Sequence, residues 1–190
     1  MRALLRKHLH GKKVLILLVL TNLLYGFMIL ITIPKVMQYT QGMKIFDMMP
    51  TGYDAEYAKT LLDTLGTAGR NTYLCSQIPA DLIYPGLFGI SYCILIAYFL
   101  KQLGRFEKPI LILSLLPLIG GSFDYLENLG TIMMLTSYPD FSPLVSGFGN
   151  VCTILKSIAS TLSFVTVFIL LVWWVIMKMK PQGTTDRLQV

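Results

Sequence analysis

Asp124, Glu127, Asn128 and Thr131 recur at i, i+3, i+4 and i+7 inside the otherwise apolar stretch PLIGGSFDYLENLGTIMML, Pro117–Leu135. That spacing sets all four on one face of a helix. Two neighbouring carboxyls titrate as a coupled pair. One held neutral can donate a proton while its ionised neighbour accepts one, which is what isomerisation or hydration requires in a site poor in water. Lys156, in another apolar stretch, is the natural counter-charge and shares its helix face with Cys152 and Ser160. It neutralises only one acid. The other must be protonated, hold a cation or be hydrogen-bonded by tyrosines. Asp124, Glu127 and Lys156 are therefore the candidate catalytic residues.

These residues need elements to hold them. The chain is 54% hydrophobic and 14% charged over 190 residues, against about 25% charged in a soluble domain. Four stretches, about 14–33, 82–100, 109–135 and 148–177, are each long and apolar enough for the roughly 20 residues a helix needs to cross hydrocarbon. Backbone groups cannot stay unpaired in lipid, so the expected fold is an all-α four-helix transmembrane bundle, residues 1–180, as one membrane domain. In the 35–80 segment, Tyr57, Leu61, Leu62 and Leu65 fall at helical spacing and predict one extra amphipathic helix. Residues 181–190 read as a disordered tail.

Charge sets the expected orientation. With the N-terminus inside and the spans alternating, the inner side holds eleven basic residues against Glu107 and Asp186. The outer side holds Lys35, Lys44, Lys59 and Arg70 against six acids. This is a positive-inside pattern with both termini cytoplasmic. The formal charge of +6 is mostly this topology signal and implies no nucleic acid.

Counting about 1.5 Å per residue from the outer ends, Asp124 lies about 18 Å deep, Glu127 and Lys156 about 14 Å, and Tyr92 and Asn22 about 17 Å. All four spans thus bring polar groups to one level. Asn128, Tyr92, Tyr84, Asn22, Tyr25 and Ser160 are the expected ligand contacts in this layer, with Asp81 and Arg70 able to pair at its outer mouth. The plainer alternative is a buried Lys156–carboxylate pair that only fixes helix register. It leaves the second acid, Asn128 and the tyrosines unaccounted for.

Several classes are excluded. Three cysteines with no CxxC or Cys/His spacing make neither a zinc site nor a disulfide framework. No GxSxG or HExxH motif supplies a nucleophile or a metal, and nothing calls for a cofactor.

The strings DLIYPGLFGISY (Asp81–Tyr92) and FDYLENLG (Phe123–Gly130), with Tyr138–Pro139, resemble a widespread group of bacterial four-span integral membrane proteins that has no established activity. The resemblance covers most of the chain and implies a bacterial inner membrane. The layout alone is similar to the EXPERA group, whose pocket binds hydrophobic amines or sterols through acids within the membrane. No residue roles carry over. The expected function is a buried polar pocket that takes a hydrophobic or lipid-like ligand from the membrane, with acid–base chemistry open to it. A proton- or cation-coupled transporter, which would need a homodimer, and an accessory subunit of a membrane complex are the alternatives.

Overall fold

The computed structural model describes residues 9–106 and 108–179; the tail expected to be disordered, 181–190, lies outside them. Every regular element among the described residues is helical. Four helices are long and apolar enough to cross a membrane: α1 (Gly11–Met37), α2 (Ala55–Gln102), α3 (Pro109–Ser137) and α4 (Pro143–Met179). Their outward faces carry large apolar side chains, such as Leu30 at 77%, Phe168 at 66% and Ile83 at 58% exposure. A belt of this size in water would be an aggregation site, whereas hydrocarbon accepts it.

The helices overrun the expected spans, most of all at α2. It begins at Ala55 rather than near residue 82, so of the expected 35–80 connection only about 38–54 lies outside the long helices, with one 3-10 turn at Phe46–Met48. Asp54 caps its start by accepting the Tyr57 amide at 2.7 Å. Gly66 then interrupts the helix with φ 58° and ψ −176°, a conformation that favours glycine. Across the interruption, Arg70 reaches back toward the turn before it. Its guanidinium Nη1 donates to the Leu62 carbonyl at 2.7 Å.

The sequence Ile-Pro occurs at Ile33–Pro34 and Ile78–Pro79, and both copies end a π-helical turn. Proline has no N–H to give, and the turns before it widen. Ile33 bonds back to Met28 O and Ile78 back to Tyr73 O. The two widened turns face each other, and Thr32, just before one Ile-Pro, hydrogen-bonds Gln77, just before the other. Lower down, Thr21 and Ser91 clasp the same helix pair through a 2.7 Å bond.

α3 packs along both α2 and α4, while α1 packs along α2. Glycines set the closest crossings. A Cβ on Gly121 would stand 2.6 Å from the Pro85 carbonyl oxygen, and one on Gly130 would stand 3.2 Å from Gly149 Cα. Residues 38–54 fold over one end of this bundle, here the loop end. Ile45 and Phe46 are fully buried there against Leu61, Leu62, Tyr73 and Met134.

Gly121→Ala should therefore lower thermal stability in detergent by about 1–3 kcal/mol, since backbone must move to admit the methyl group. Gly26→Ala meets no atom within 4 Å and should leave the melting temperature unchanged or raise it. Equal melting temperatures for both variants would contradict the close α2–α3 crossing.

Candidate functional site

The α3 face that carries the acids packs against α4, where Thr153 and Lys156 lie one turn apart. Lys156 Nζ forms an ion pair with Glu127 Oε2 and stands 3.4 Å from Asp124 Oδ1. Glu127 has no exposed surface. Its other oxygen, Oε1, accepts the Thr153 hydroxyl at 2.8 Å. Lys156 therefore serves two carboxylates, and a charge-assisted contact on each is the arrangement that lets an ammonium sit among apolar helices.

Asn128 has a structural task. Pro85 lies four residues after Asp81 and has no N–H, so the Asp81 carbonyl lacks its helical donor. Asn128 Nδ2 supplies it at 3.0 Å. The pairing locks α3 to the proline turn of α2 and leaves the Asp81 side chain free for another role. That carboxyl is 3% exposed, and its Oδ2 has no hydrogen-bond partner.

A cleft of ≈ 480 Å³ opens on the other side of Lys156. Its polar floor is Asp81, Asp124, Lys156, Ser157 and Ser160. α1 contributes an apolar wall that includes Met28, Ile29, Ile33 and Met37, and the loop end contributes Asp47 and Met48. Tyr25 and Tyr84 stack beside the floor with ring centroids 5.4 Å apart. Asp47 is held in place by the buried Tyr73 hydroxyl, which donates to its Oδ2 at 2.9 Å, and its carboxyl lies against that of Asp81. Tyr25 and Ile29 are nearly half exposed, so the α1 side of the cleft opens onto the apolar belt.

A second cavity of ≈ 460 Å³ at the loop end is lined by Gly52, Tyr53, Asp54, Tyr57 and Asn150, among others. Asn150 Oδ1 accepts the Tyr53 amide at 2.9 Å. The Tyr53 ring runs inward from there. Burial, and then the negative charge of Glu127, hold its phenol well above the usual tyrosine range, so it stays a neutral hydroxyl.

The structure thus brings Asp81, Asp124, Lys156, Tyr25, Tyr84 and Ser160 to one cleft, with Glu127 and Asn128 directly behind it. Three expected contacts are elsewhere. Arg70 does not pair with Asp81: the Leu62 carbonyl bond turns its guanidinium over the Tyr138 ring, 3.9 Å from the centroid. Asn22 is exposed and bonds its own helix at Leu18 O. Tyr92 packs among Phe88 and Phe164. Neither lines the cleft. Sequence reasoning missed Asp47 and Thr153. Asp47 sits in a connection without periodicity, so no pattern marked it. Thr153 could have been found, since it precedes Lys156 by one turn.

No protein-family model matches the chain, nor does any curated protein or solved structure.

The shared ammonium gives a sharp stability test. Lys156→Met should destabilise the protein by about 3–5 kcal/mol, because two buried carboxyls lose their counter-charge. Adding Glu127→Gln to Lys156→Met should recover most of that loss. Thermal unfolding of both variants in one detergent reads the difference, and full stability of the single variant would mean that the pair carries no weight.

Proposed function

We propose that this multi-pass membrane protein binds a hydrophobic, lipid-like ligand in the cleft between α1 and α4 and that its buried carboxyls make acid–base chemistry on that ligand possible. The observation that carries the reading is the cleft itself. Its wall is methionine, isoleucine and tyrosine, its floor is ionisable, and its side opens onto the apolar belt. A ligand would then enter sideways from the lipid with its chain against α1 and its head at Asp81 and Asp124. Pockets of this composition suit small amphiphiles.

The charge count sharpens the head group. Asp47, Asp81, Asp124 and Glu127 converge on one ammonium, that of Lys156. A head that donates hydrogen bonds or carries positive charge relieves this excess, and an anionic head adds to it. The basic residues outside the membrane support a topology with both termini cytoplasmic and the loop end outside. The motif resemblance favours a bacterial plasma membrane.

The test is equilibrium binding to the purified protein in nanodiscs with dodecylamine, dodecanol and dodecanoate as probes. Dodecylamine should bind tightest and dodecanoate weakest. Asp81→Asn should weaken dodecylamine by about tenfold or more, ~1.4 kcal/mol, with the melting temperature unchanged or raised because one of two abutting buried carboxyls is replaced by a neutral amide. Absence of saturable binding by all three probes, or identical affinities in wild type and Asp81→Asn, would sink the reading.

A further inference from the structure

We infer that the head taken by the cleft is an amino alcohol, an ammonium with a free hydroxyl on the neighbouring carbon. Asp81 and Asp124 hold the ammonium, and Ser157 and Ser160 select the hydroxyl. The inference rests on the ligand reading above and narrows it to one class of amphiphile.

A serine or threonine in a membrane helix ordinarily returns its hydroxyl to a carbonyl of its own preceding turn. Several hydroxyls of α4 do so. Ser146 donates to Pro143 O at 3.0 Å, Thr153 to Gly149 O at 3.0 Å, Ser163 to Ala159 O at 2.7 Å and Thr166 to Leu162 O at 2.7 Å. Ser157 and Ser160 do not. Neither hydroxyl bonds any group among the described residues, and both line the cleft. Thr161 is unbonded too, but it is exposed and outside the cleft. A polar group left unpaired beside hydrocarbon costs free energy. Two of them on one floor, one turn apart, are placed to bond a molecule that enters.

The packing keeps these hydroxyls open and close to the acids. Ser160 Oγ lies against Gly120, where a Cβ would stand 3.1 Å away, so glycine keeps a side chain off the hydroxyl. Gly120 precedes Asp124 by one turn on the same α3 face, about 6 Å along the axis. The contacts Gly120–Ser160 and Gly130–Gly149 show that α3 and α4 run antiparallel. Side chains lean toward the N-terminus of their own helix, so Asp124 and Ser160 lean toward each other. A carboxylate and a hydroxyl therefore flank one short length of the floor.

Charge fixes the other half of the head. Lys156 is the one cation that lines the cleft, and it is engaged by Glu127 and, at 3.4 Å, by Asp124. Asp81 lines the same cleft, is 3% exposed, and its Oδ2 has no hydrogen-bond partner. An entering ammonium relieves that deficit, whereas a phosphate or carboxylate deepens it. A plain alkylamine satisfies the acids and leaves both serines unpaired. A plain alcohol does the reverse. An ammonium and a hydroxyl on adjacent carbons satisfy both: the ammonium donates to the carboxylates, and the hydroxyl accepts from one serine while donating to the other. Sites built to bond a substrate hydroxyl discriminate against the analogue that lacks it, because their own polar groups are then left unpaired.

The experiment compares equilibrium binding of 2-amino-1-dodecanol and dodecylamine to the protein in nanodiscs, with each corrected for its partition into empty nanodiscs. The two probes share chain length and charge and differ by one hydroxyl. The wild-type protein should bind the amino alcohol about tenfold or more tightly, ~1.4 kcal/mol. In the double variant Ser157→Ala, Ser160→Ala that ratio should fall to about one. Its melting temperature should hold, since alanine suits a helix interior and neither serine gives up a bond. A wild-type ratio near or below one, with dodecylamine still saturating, would overturn the inference and leave the ligand reading standing. A preference that persists in the double variant would overturn it as well, because the serines would not be its source. No saturable binding of either probe would overturn both.

Discussion

The structure depends on one requirement, that an ammonium in the body of a helix bundle must find negative charge there. Lys156 stands well inside α4, a helix of 37 residues. Left unpaired at such a depth, a lysine or an aspartate costs roughly 2.5–3.5 kcal/mol on insertion scales. Pairing with both Glu127 and Asp124 fixes how α3 may slide and turn against α4, because one step along either helix would carry the charges to different faces. The glycines then become necessary. Gly120 lies against Ser160 and Ala159, and Gly130 against Gly149, so the two backbones come close enough for short side chains such as Asp124 and Thr153 to meet across the interface. Small residues serve this purpose in membrane helices, where apolar surface alone gives helices little reason to associate.

Proline sets the second constraint. Each internal proline leaves a carbonyl without its donor, and hydrocarbon offers no water to replace it. The chain answers in two ways. Before Pro34 and Pro79 the helix widens into a π turn. At Pro85 a side chain from another helix, Asn128, supplies the missing N–H. This second answer explains why the D-x-x-Y-P string of α2 and the E-N pair of α3 belong together. Asn128 repairs the Asp81 backbone, and Glu127 beside it holds the lysine. A motif that looked like a row of ligand contacts therefore divides its labour between holding the helices and presenting charge.

Much of this was legible in the sequence. The four apolar stretches became the four long helices, because length and hydropathy alone decide which segments suit hydrocarbon. The spacing of Asp124, Glu127 and Asn128 placed them on one face, and Lys156 was identified as their counter-charge from type and depth. Depth, however, is only one coordinate. Asn22 and Tyr92 do not line the cleft, since the rotation of each helix is set by its neighbours and not by its own composition. Arg70 was misplaced for a local reason: its guanidinium bonds the Leu62 carbonyl across the break at Gly66. Asp47 was invisible because residues 38–54 have no periodicity, and only the tertiary burial of Ile45 and Phe46 brings that carboxyl over the cleft.

The polar layer is also two-sided, and this follows from how the pieces are held. α1 is tied to α2 by Thr21–Ser91 and Thr32–Gln77, and its far side is left to form the wall of a cleft open to the apolar belt. The loop end is tied down by Phe46, Tyr73 and Tyr53, whose rings fill the space above α3. Lys156 and Asp124 consequently line the cleft, while Glu127 meets only Lys156 and the Thr153 hydroxyl. A single lysine thus separates an acid that a ligand can touch from one that it cannot.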